Sequence, residues 1–350
     1  MKRFIGIWLV LQVLLVGACT PAAMPEPASE PAPGPVTPAA DPDPEEPSAP
    51  SGAPFNLTVA TCNLLKPEGR RTEMSMTNNT VRMALARSIK ATQADLIGFN
   101  ELDETFVPGG IYSLPAACSL EGFSWSLNWP NAPHTDREPT YSYANGFAFN
   151  KNILTLEDSG CVWLSAEEAN TWYETPEKAY GNAGSPARTC VWARLRHKAT
   201  QKVFWLFVTH LPTKSQGPEP EGTWMYNMAG VVNSFAASKA GDAPAILTGD
   251  MNCSPSMTSV GCKAAYRRLF SYWTDANADS SLGTQSGSSA SYYYPVETFT
   301  KNHPERRIDH IMTRGCSIAD YRTIVTTYTY GGKDWCPSDH LPLVATVTIE

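Results

Sequence analysis

The sequence predicts a mixed α/β domain, with sheets of both parallel and antiparallel strands covered by helices. Three observations predict it. Strand-like runs alternate with stretches of helical periodicity along most of the chain. Some neighbouring strands have only turn-length links, as between Arg196 and Val203, too short for the crossover that a parallel pair needs. The run from Val203 to Val208 is apolar throughout, which implies burial on both faces of its sheet.

The N-terminal part does not belong to that domain. Lys2 and Arg3 form a positive start, and Phe4 to Val16 is an apolar stretch too short to span a membrane comfortably. Leu15-Val16-Gly17-Ala18-Cys19 then resembles a bacterial lipobox, in which the cysteine becomes the lipidated first residue. The bland alternative is a plain signal peptide followed by an incidental cysteine. Residues 1–18 are expected to be a lipoprotein signal peptide, with lipidation at Cys19 and a place in the bacterial cell envelope. Residues 19–54 are rich in Pro and Ala, and Glu26, Glu30, Asp41, Asp43, Glu45 and Glu46 occur with no Lys or Arg between Thr20 and Phe55. Such a segment has little to bury and is expected to be a disordered tether. Residues 55–350 are the folded domain.

Within it, Leu57 to Cys62 reads as a strand. Val81, Leu85 and Ile89, flanked by Ala84 and Ser88, mark an amphipathic helix. Asp95 to Phe99 is a short buried strand. Phe106 to Tyr143 reads as an irregular surface excursion, its aromatics Phe123, Trp125, Trp129, Tyr141 and Tyr143 serving packing. Phe147 to Phe149, Thr189 to Arg196 and Val203 to Thr209 are strands. Met228, Val231, Val232 and Phe235 recur at helical spacing. Ala245 to Thr248, Arg307 to Met312 and Leu343 to Ile349 complete the strand set.

The net charge is −7, much of it from the tether. A strongly basic domain would point to nucleic acid, and this chain offers only scattered pairs such as Arg267-Arg268 and Arg306-Arg307. Long duplex nucleic acid is therefore not the expected substrate, and a monomer is expected. Apart from Cys19, eight cysteines permit disulfides in an exported protein. Cys253 and Cys262 are the first candidate pair, while Cys62 and Cys190 sit in apolar strands and read as buried thiols. No Cys-x-x-Cys pair suggests structural zinc.

The chemistry collects at strand ends. Asn63 ends one run, Asn100-Glu101 the next, Thr209-His210 a third and Gly249-Asp250-Met251-Asn252 a fourth. Ile308-Asp309-His310 sits inside a fifth, and Pro337-Ser338-Asp339-His340-Leu341-Pro342 opens the last. Carboxylates, amides and imidazoles converging in this way are what phosphoester hydrolysis with a hard metal ion needs.

In these blocks and their order, from Phe55 to Glu350, the chain resembles the endonuclease/exonuclease/phosphatase superfamily. Gly-Asp-x-Asn and Ser-Asp-His are the most specific parts of the likeness. The resemblance implies a four-layer α/β/β/α sandwich of two mixed β-sheets, DNase I-like, with its site at one edge. It implies a Mg²⁺ or Mn²⁺ cofactor held by Glu101 and Asp339, with Asn63 lending an amide oxygen directly or through water. It assigns Asp250 to orienting or deprotonating the attacking water and Asn252 to donating its amide to the phosphate. Two apart, these would point the same way in extended backbone, though the same block is also good turn chemistry. His340 lies beside the scissile phosphate, with Asp309 holding its other ring nitrogen. His210 is a second imidazole, for a phosphate oxygen or the leaving group. Arg188 and Asn145 are substrate-binding candidates, and His310, facing away from Asp309, is structural. Two positions depart from the commonest pattern: Asn100 stands where many members carry Gln, and Met251 where an aromatic or Leu is frequent.

The expected function is an exported, lipid-tethered, divalent-metal-dependent phosphoester hydrolase. An extracellular nuclease is one alternative. A non-catalytic surface-binding lipoprotein is another, which the presence of Asp250 and His340 disfavours. Phospholipid or sphingomyelin headgroups, inositol phosphates and phosphorylated glycans all remain open as substrates, because fold does not fix substrate.

Overall fold

The computed structural model describes residues 52–65, 78–102, 113–118, 122–128, 144–168, 170–174, 188–212, 224–276, 307–330 and 332–350. The expected signal peptide, Cys19 and most of the expected tether lie outside them. No helix among the described residues is long and apolar enough to cross a membrane.

Fifteen strands and four helices are described. The strands are β1 (Phe55–Asn63), β2 (Leu96–Leu102), β3 (Phe123–Asn128), β4 (Ala144–Asn150), β5 (Leu154–Leu164), β6 (Trp172–Tyr173), β7 (Thr189–His197), β8 (Val203–His210), β9 (Ala245–Asp250), β10 (Thr274–Asp275), β11 (Asp309–Arg314), β12 (Cys316–Thr323), β13 (Tyr328–Tyr330), β14 (Lys333–Trp335) and β15 (Leu343–Ile349). The helices are α1 (Asn78–Thr92), α2 (Leu114–Cys118), α3 (Trp224–Ala240) and α4 (Val260–Phe270). One sheet runs β12-β15-β1-β2-β4-β3, the other β10-β11-β9-β8-β7-β5-β6, and β13 and β14 pair alone. Each large sheet holds one parallel pair, β1 with β2 and β8 with β9, among antiparallel neighbours. Both sheets are mixed, as expected.

Three apolar clusters give the layer order. Val59, Leu96, Val208, Ile246 and Ile311 pack between the sheets. Ala60, Ile97 and Phe99 face Val81, Leu85 and Ile89 of α1. Leu247 and Phe207 face Met228, Val232, Phe235 of α3 and Ala265, Leu269 of α4. The alternation along each strand thus assigns one face to the sheet–sheet core and the other to a helix, which makes the α/β/β/α sandwich. The sheets come very close at Gly98, where a Cβ would lie 2.1 Å from Thr248 Oγ1.

The structure corrects the sequence reading in several places. The excursion from Phe106 to Tyr143 contains α2 and β3, and β3 closes an edge of the first sheet. Trp125 there stacks on Phe99, with ring centroids 5.0 Å apart, so its packing role is observed. Trp129, Tyr141 and Tyr143 lie outside the described residues. β5, β12 and α4 were not anticipated. α4 is announced by Ser259, whose hydroxyl caps the Cys262 N–H. Cys253 and Cys262 are both free, buried thiols, not a disulfide, as are Cys62 and Cys190. Both members of the expected pair sit in the apolar cluster under α3 and α4, where reduced cysteine packs as a small hydrophobe.

Candidate active site

Strand register assembles the site. β1 and β2 run parallel with Asn63 opposite Asn100. β8 and β9 run parallel with His210 opposite Asp250, and β11 returns antiparallel with Asp309 opposite that same Asp250. Asp250 therefore stands between His210 and Asp309 at one edge of the second sheet. Asn63 and Asn100 stand at the matching edge of the first.

Hydrogen bonds join these edges. Asn100 is fully buried and accepts the Asp250 N–H at 2.8 Å, while its amide donates to the Thr209 carbonyl at 3.0 Å and to Asn145 Oδ1 at 2.7 Å. Asn63 Nδ2 donates to Asp250 Oδ2 at 3.1 Å and to Glu101 Oε1 at 3.3 Å. Ser338 donates to the Asn63 carbonyl at 2.8 Å and accepts the His340 N–H at 3.1 Å, so the Ser-Asp-His block is moored to the end of β1.

Backbone conformation completes the placement. Glu101 has φ 54°, inside a bulge of β2 against β4 between Phe99 and Leu102. Bulges re-aim side chains, and a non-glycine residue in this region is strained in a way that clusters at functional sites. Asn252 has φ 48° and Leu65 φ 57°, so three of the five described non-glycine residues with positive φ border the site. Gly249, at φ 145°, lies where a Cβ would sit 1.9 Å from the Thr209 carbonyl oxygen; no other residue fits.

The polar core follows. His340 Nδ1 faces Asp309 Oδ2 at 2.6 Å. Its Nε2 lies 3.6 Å from Asp250 Oδ2 and 3.9 Å from Asp339 Oδ1. His210 Nε2 is 3.4 Å from Asp250 Oδ2. Burial alone would lower the His340 pKa, but the carboxylates of Asp309, Asp250 and Asp339 raise it well above the usual imidazole value. Burial pushes the Asp250 carboxyl up to about 7; His340 opposes this, and Asp309 and Glu101 reinforce it. Asp339 is pushed up to about 6 by burial, with His340 opposing and Glu101 and Asp309 adding repulsion.

Four carboxylates crowded this closely call for a cation. Among the described residues, Asp250, Asp309 and His340 offer ligand atoms all within 4.8 Å of one another, a group able to hold a metal ion. Glu101 and Asp339, whose carboxyl Glu101 helps to push up, extend it with oxygen ligands of the kind hard divalent ions take. The donor set fits Mg²⁺ or Mn²⁺.

Asn63, Glu101, His210, Asp250, Asp309, Asp339 and His340 are thus brought together. The structure adds detail at three of the sequence-expected residues. The Asn63 oxygen accepts the Leu65 N–H at 3.0 Å, and its NH₂ faces the carboxylates. The backbone donor sets that orientation, since only an oxygen can accept from it. Asn145 is 1% exposed, and its NH₂ donates to the carbonyl and the hydroxyl of Thr189, both at 3.1 Å. Its donors are engaged inside the protein, and its oxygen braces Asn100. Of the two conformations open to the Gly-Asp-x-Asn block, the chain takes the turn: the Asn252 N–H bonds Asp250 Oδ1 at 2.9 Å, and its Nδ2 donates to the Leu211 carbonyl at 2.9 Å. Arg188 is buried immediately before β7, next in the chain to Thr189. The missed residue is Asn100. Its place before Glu101 at a strand end was visible, but its function as the clasp between two sheets was not.

His310 points away from Asp309, as alternation requires. Its Nδ1 faces Asp275 Oδ2 and its Nε2 the Cys253 carbonyl, both at 2.9 Å. Both partners are acceptors, so both ring nitrogens carry protons and the ring is a buried imidazolium. Burial lowers its pKa, but Asp275 and the Cys253 carbonyl raise it above the ordinary value. With the folded pKa above the unfolded one, this contribution is complete below the unfolded value, about 6.5, and is lost as pH rises through the folded value. His310→Gln is expected to cost about 3–5 kcal/mol near neutral pH by leaving Asp275 uncompensated, with the deficit shrinking as pH rises. Thermal melts across the neutral and alkaline range check this, and a deficit that is absent or grows with pH contradicts it.

Comparison with known proteins agrees with this geometry. The model of the endonuclease/exonuclease/phosphatase family matches residues 60–340. No curated protein matches the sequence. Among solved structures, an endonuclease/exonuclease/phosphatase family protein from Bacteroides thetaiotaomicron is 20% identical with a TM-score of 0.63, over 85% of this chain and 99% of that one. A mannosyl-6-phosphatase from the same organism is 19% identical with a TM-score of 0.64, over 83% and 99%. The human Nocturnin catalytic domain, with bound sulfate, is 17% identical with a TM-score of 0.51, over 83% and 93%. At these identities the solved structures show a shared fold.

Proposed function

The chain belongs to the endonuclease/exonuclease/phosphatase family, and from that premise we propose that it is an exported, lipid-tethered hydrolase of small or headgroup phosphoesters. Divalent-metal-dependent phosphoester hydrolysis is the activity this site supports, and the crowding of Glu101 and Asp339 against the group Asp250, Asp309 and His340 carries that conclusion.

Glu101 and Asp339 are the proposed principal holders of Mg²⁺ or Mn²⁺, because hard ions prefer oxygen and His340 Nδ1 is already engaged by Asp309. When bound, the ion supplies positive charge to the phosphate and its leaving oxygen. Asp250, with its carboxyl near 7, takes the proton of the attacking water. Asn63 and His210 hold that carboxylate in place. His340, charged between carboxylates, offers Nε2 to the phosphate, and Asp309 keeps the ring oriented. Arg188 is retained as a candidate for phosphate contact, on its place beside Thr189 in the chain.

The tether is proposed from the lipobox-like Cys19 and the acidic, Pro-rich segment after it. Substrates other than long duplex DNA are proposed because duplex binding draws on many Lys and Arg contacts, and the domain is close to charge-balanced. The mannosyl-6-phosphatase of the same fold makes a sugar phosphate a sensible arm of the test. A side-by-side assay of plasmid DNA, RNA, phosphoinositides, sphingomyelin, sugar phosphates and simple phosphodiesters at fixed Mg²⁺ should favour a small or lipid substrate. Plasmid degradation exceeding all others at physiological salt would establish the nuclease alternative. Mass spectrometry of the native protein should find a lipidated Cys19 as first residue; another N-terminus contradicts the tether.

A further inference from the structure

α3 and α4 together contain Lys239, Lys263, Arg267 and Arg268 and no Asp or Glu, in a chain whose net charge is −7. Residues of both helices line a groove of about 730 Å³, among them Tyr226, Asn233, Lys263, Arg267, Arg268 and Ser271. None of its lining residues is acidic. Arg268 lies over the Tyr226 ring, 4.4 Å from its centroid, which fixes one cation on the groove wall.

The outer face of α4 carries a second signal. Val260, Lys263, Arg267 and Phe270 fall at i, i+3, i+7 and i+10, one stripe of a helix. Val260 is 60% exposed and Phe270 45%, two of the four exposed large hydrophobic residues among those described. Cations bracketed by exposed apolar side chains fit a surface that is anionic outside and apolar beneath. A nucleic acid would use the charges but leave Val260, the most exposed of these apolar side chains, without a partner.

We propose that this face of α3 and α4 docks on an anionic phospholipid surface, with headgroup phosphates entering the groove beside Lys263 and Arg267 and with Val260 and Phe270 dipping toward the acyl boundary. This goes beyond the tether, which brings the domain near a bilayer without choosing the face that meets it.

The test uses the chain from Thr20 onward, which carries no lipid and holds every described element, with vesicles of phosphatidylglycerol in phosphatidylcholine, and EDTA present so that no lipid is hydrolysed. Sedimentation should show binding to the mixed vesicles and not to phosphatidylcholine alone. The combined variant Lys263→Gln, Arg267→Gln, Arg268→Gln should bind about 100-fold more weakly, since each basic residue near such a surface contributes about a fivefold factor. Val260→Ser with Phe270→Ser should weaken binding about tenfold. Circular dichroism checks that the variants fold, and turnover of a soluble phosphoester should match the unmodified chain. No binding by the unmodified chain, as if the acidic tether filled the groove, overturns the proposal. So does equal binding by the triple variant, or full displacement by soluble glycerol phosphate, which would make the groove a site for the free headgroup. A lipidated Cys19 found alongside any of these leaves the tether standing and removes only this face.

Discussion

His340→Ala is expected to lower kcat by about 10²–10⁴-fold, the usual worth of a positioned acid–base group, while the fold persists. The ring occupies the point where three carboxylates meet: Asp309 at 2.6 Å, Asp250 at 3.6 Å and Asp339 at 3.9 Å. It moors to the protein through its own N–H and Ser338, and the alanine keeps that backbone bond. Loss of the ring removes the charge offered to the phosphate. Asp309→Asn should cost less, because the imidazole stays in place but is less firmly held. Steady-state kinetics on the preferred substrate, with circular dichroism to check folding, test the pair. Activity near wild type in His340→Ala would remove the Ser-Asp-His block from the reaction.

Asp250→Asn should be comparably severe. Asp250 Oδ1 accepts the Asn252 N–H at 2.9 Å, and Oδ2 faces Asn63 Nδ2 at 3.1 Å, His210 Nε2 at 3.4 Å and His340 Nε2 at 3.6 Å. An amide of the same shape cannot satisfy donors on both sides, and it cannot take a proton from water. A fall in kcat of about 10²–10⁴-fold with little change in KM is the expected pattern, because the lost interaction belongs to the reaction and not to binding. A raised KM with kcat preserved would assign Asp250 to substrate binding instead.

Much of the fold was legible because both sheets are apolar on two faces. The run from Val203 to Val208 and the alternation of Val191, Ala193 and Leu195 could belong only to strands in a covered sheet. Met228, Val231, Val232 and Phe235 could belong only to a helix lying on one. What escaped were edges. β12 exposes only Ser317 and Ala319 and shifts register between Ile318 and Asp320, and β5 carries Glu157, Asp158 and Ser159 through a bulge, so neither shows a clean period. The site's membership was readable because its residues close strands in order along the chain. Their orientation was not. Whether Asn63 offers oxygen or nitrogen depends on the Leu65 N–H, and whether Asn145 is available depends on Thr189, contacts that no local pattern encodes. The turn at Asn252 follows from its positive φ, a conformation that asparagine tolerates but does not announce.

The central claim is that carboxylates and His340 at the joined edges of two sheets make a divalent-metal-dependent phosphoester hydrolase. The most direct measurement is turnover of a phosphoester by the full chain after exhaustive chelation, then with Mg²⁺ restored, in the wild type and in Glu101→Gln. The account predicts no turnover without metal, recovery with Mg²⁺ or Mn²⁺ in the wild type, and a requirement for much more metal in Glu101→Gln. Undiminished turnover in the chelated protein would contradict it.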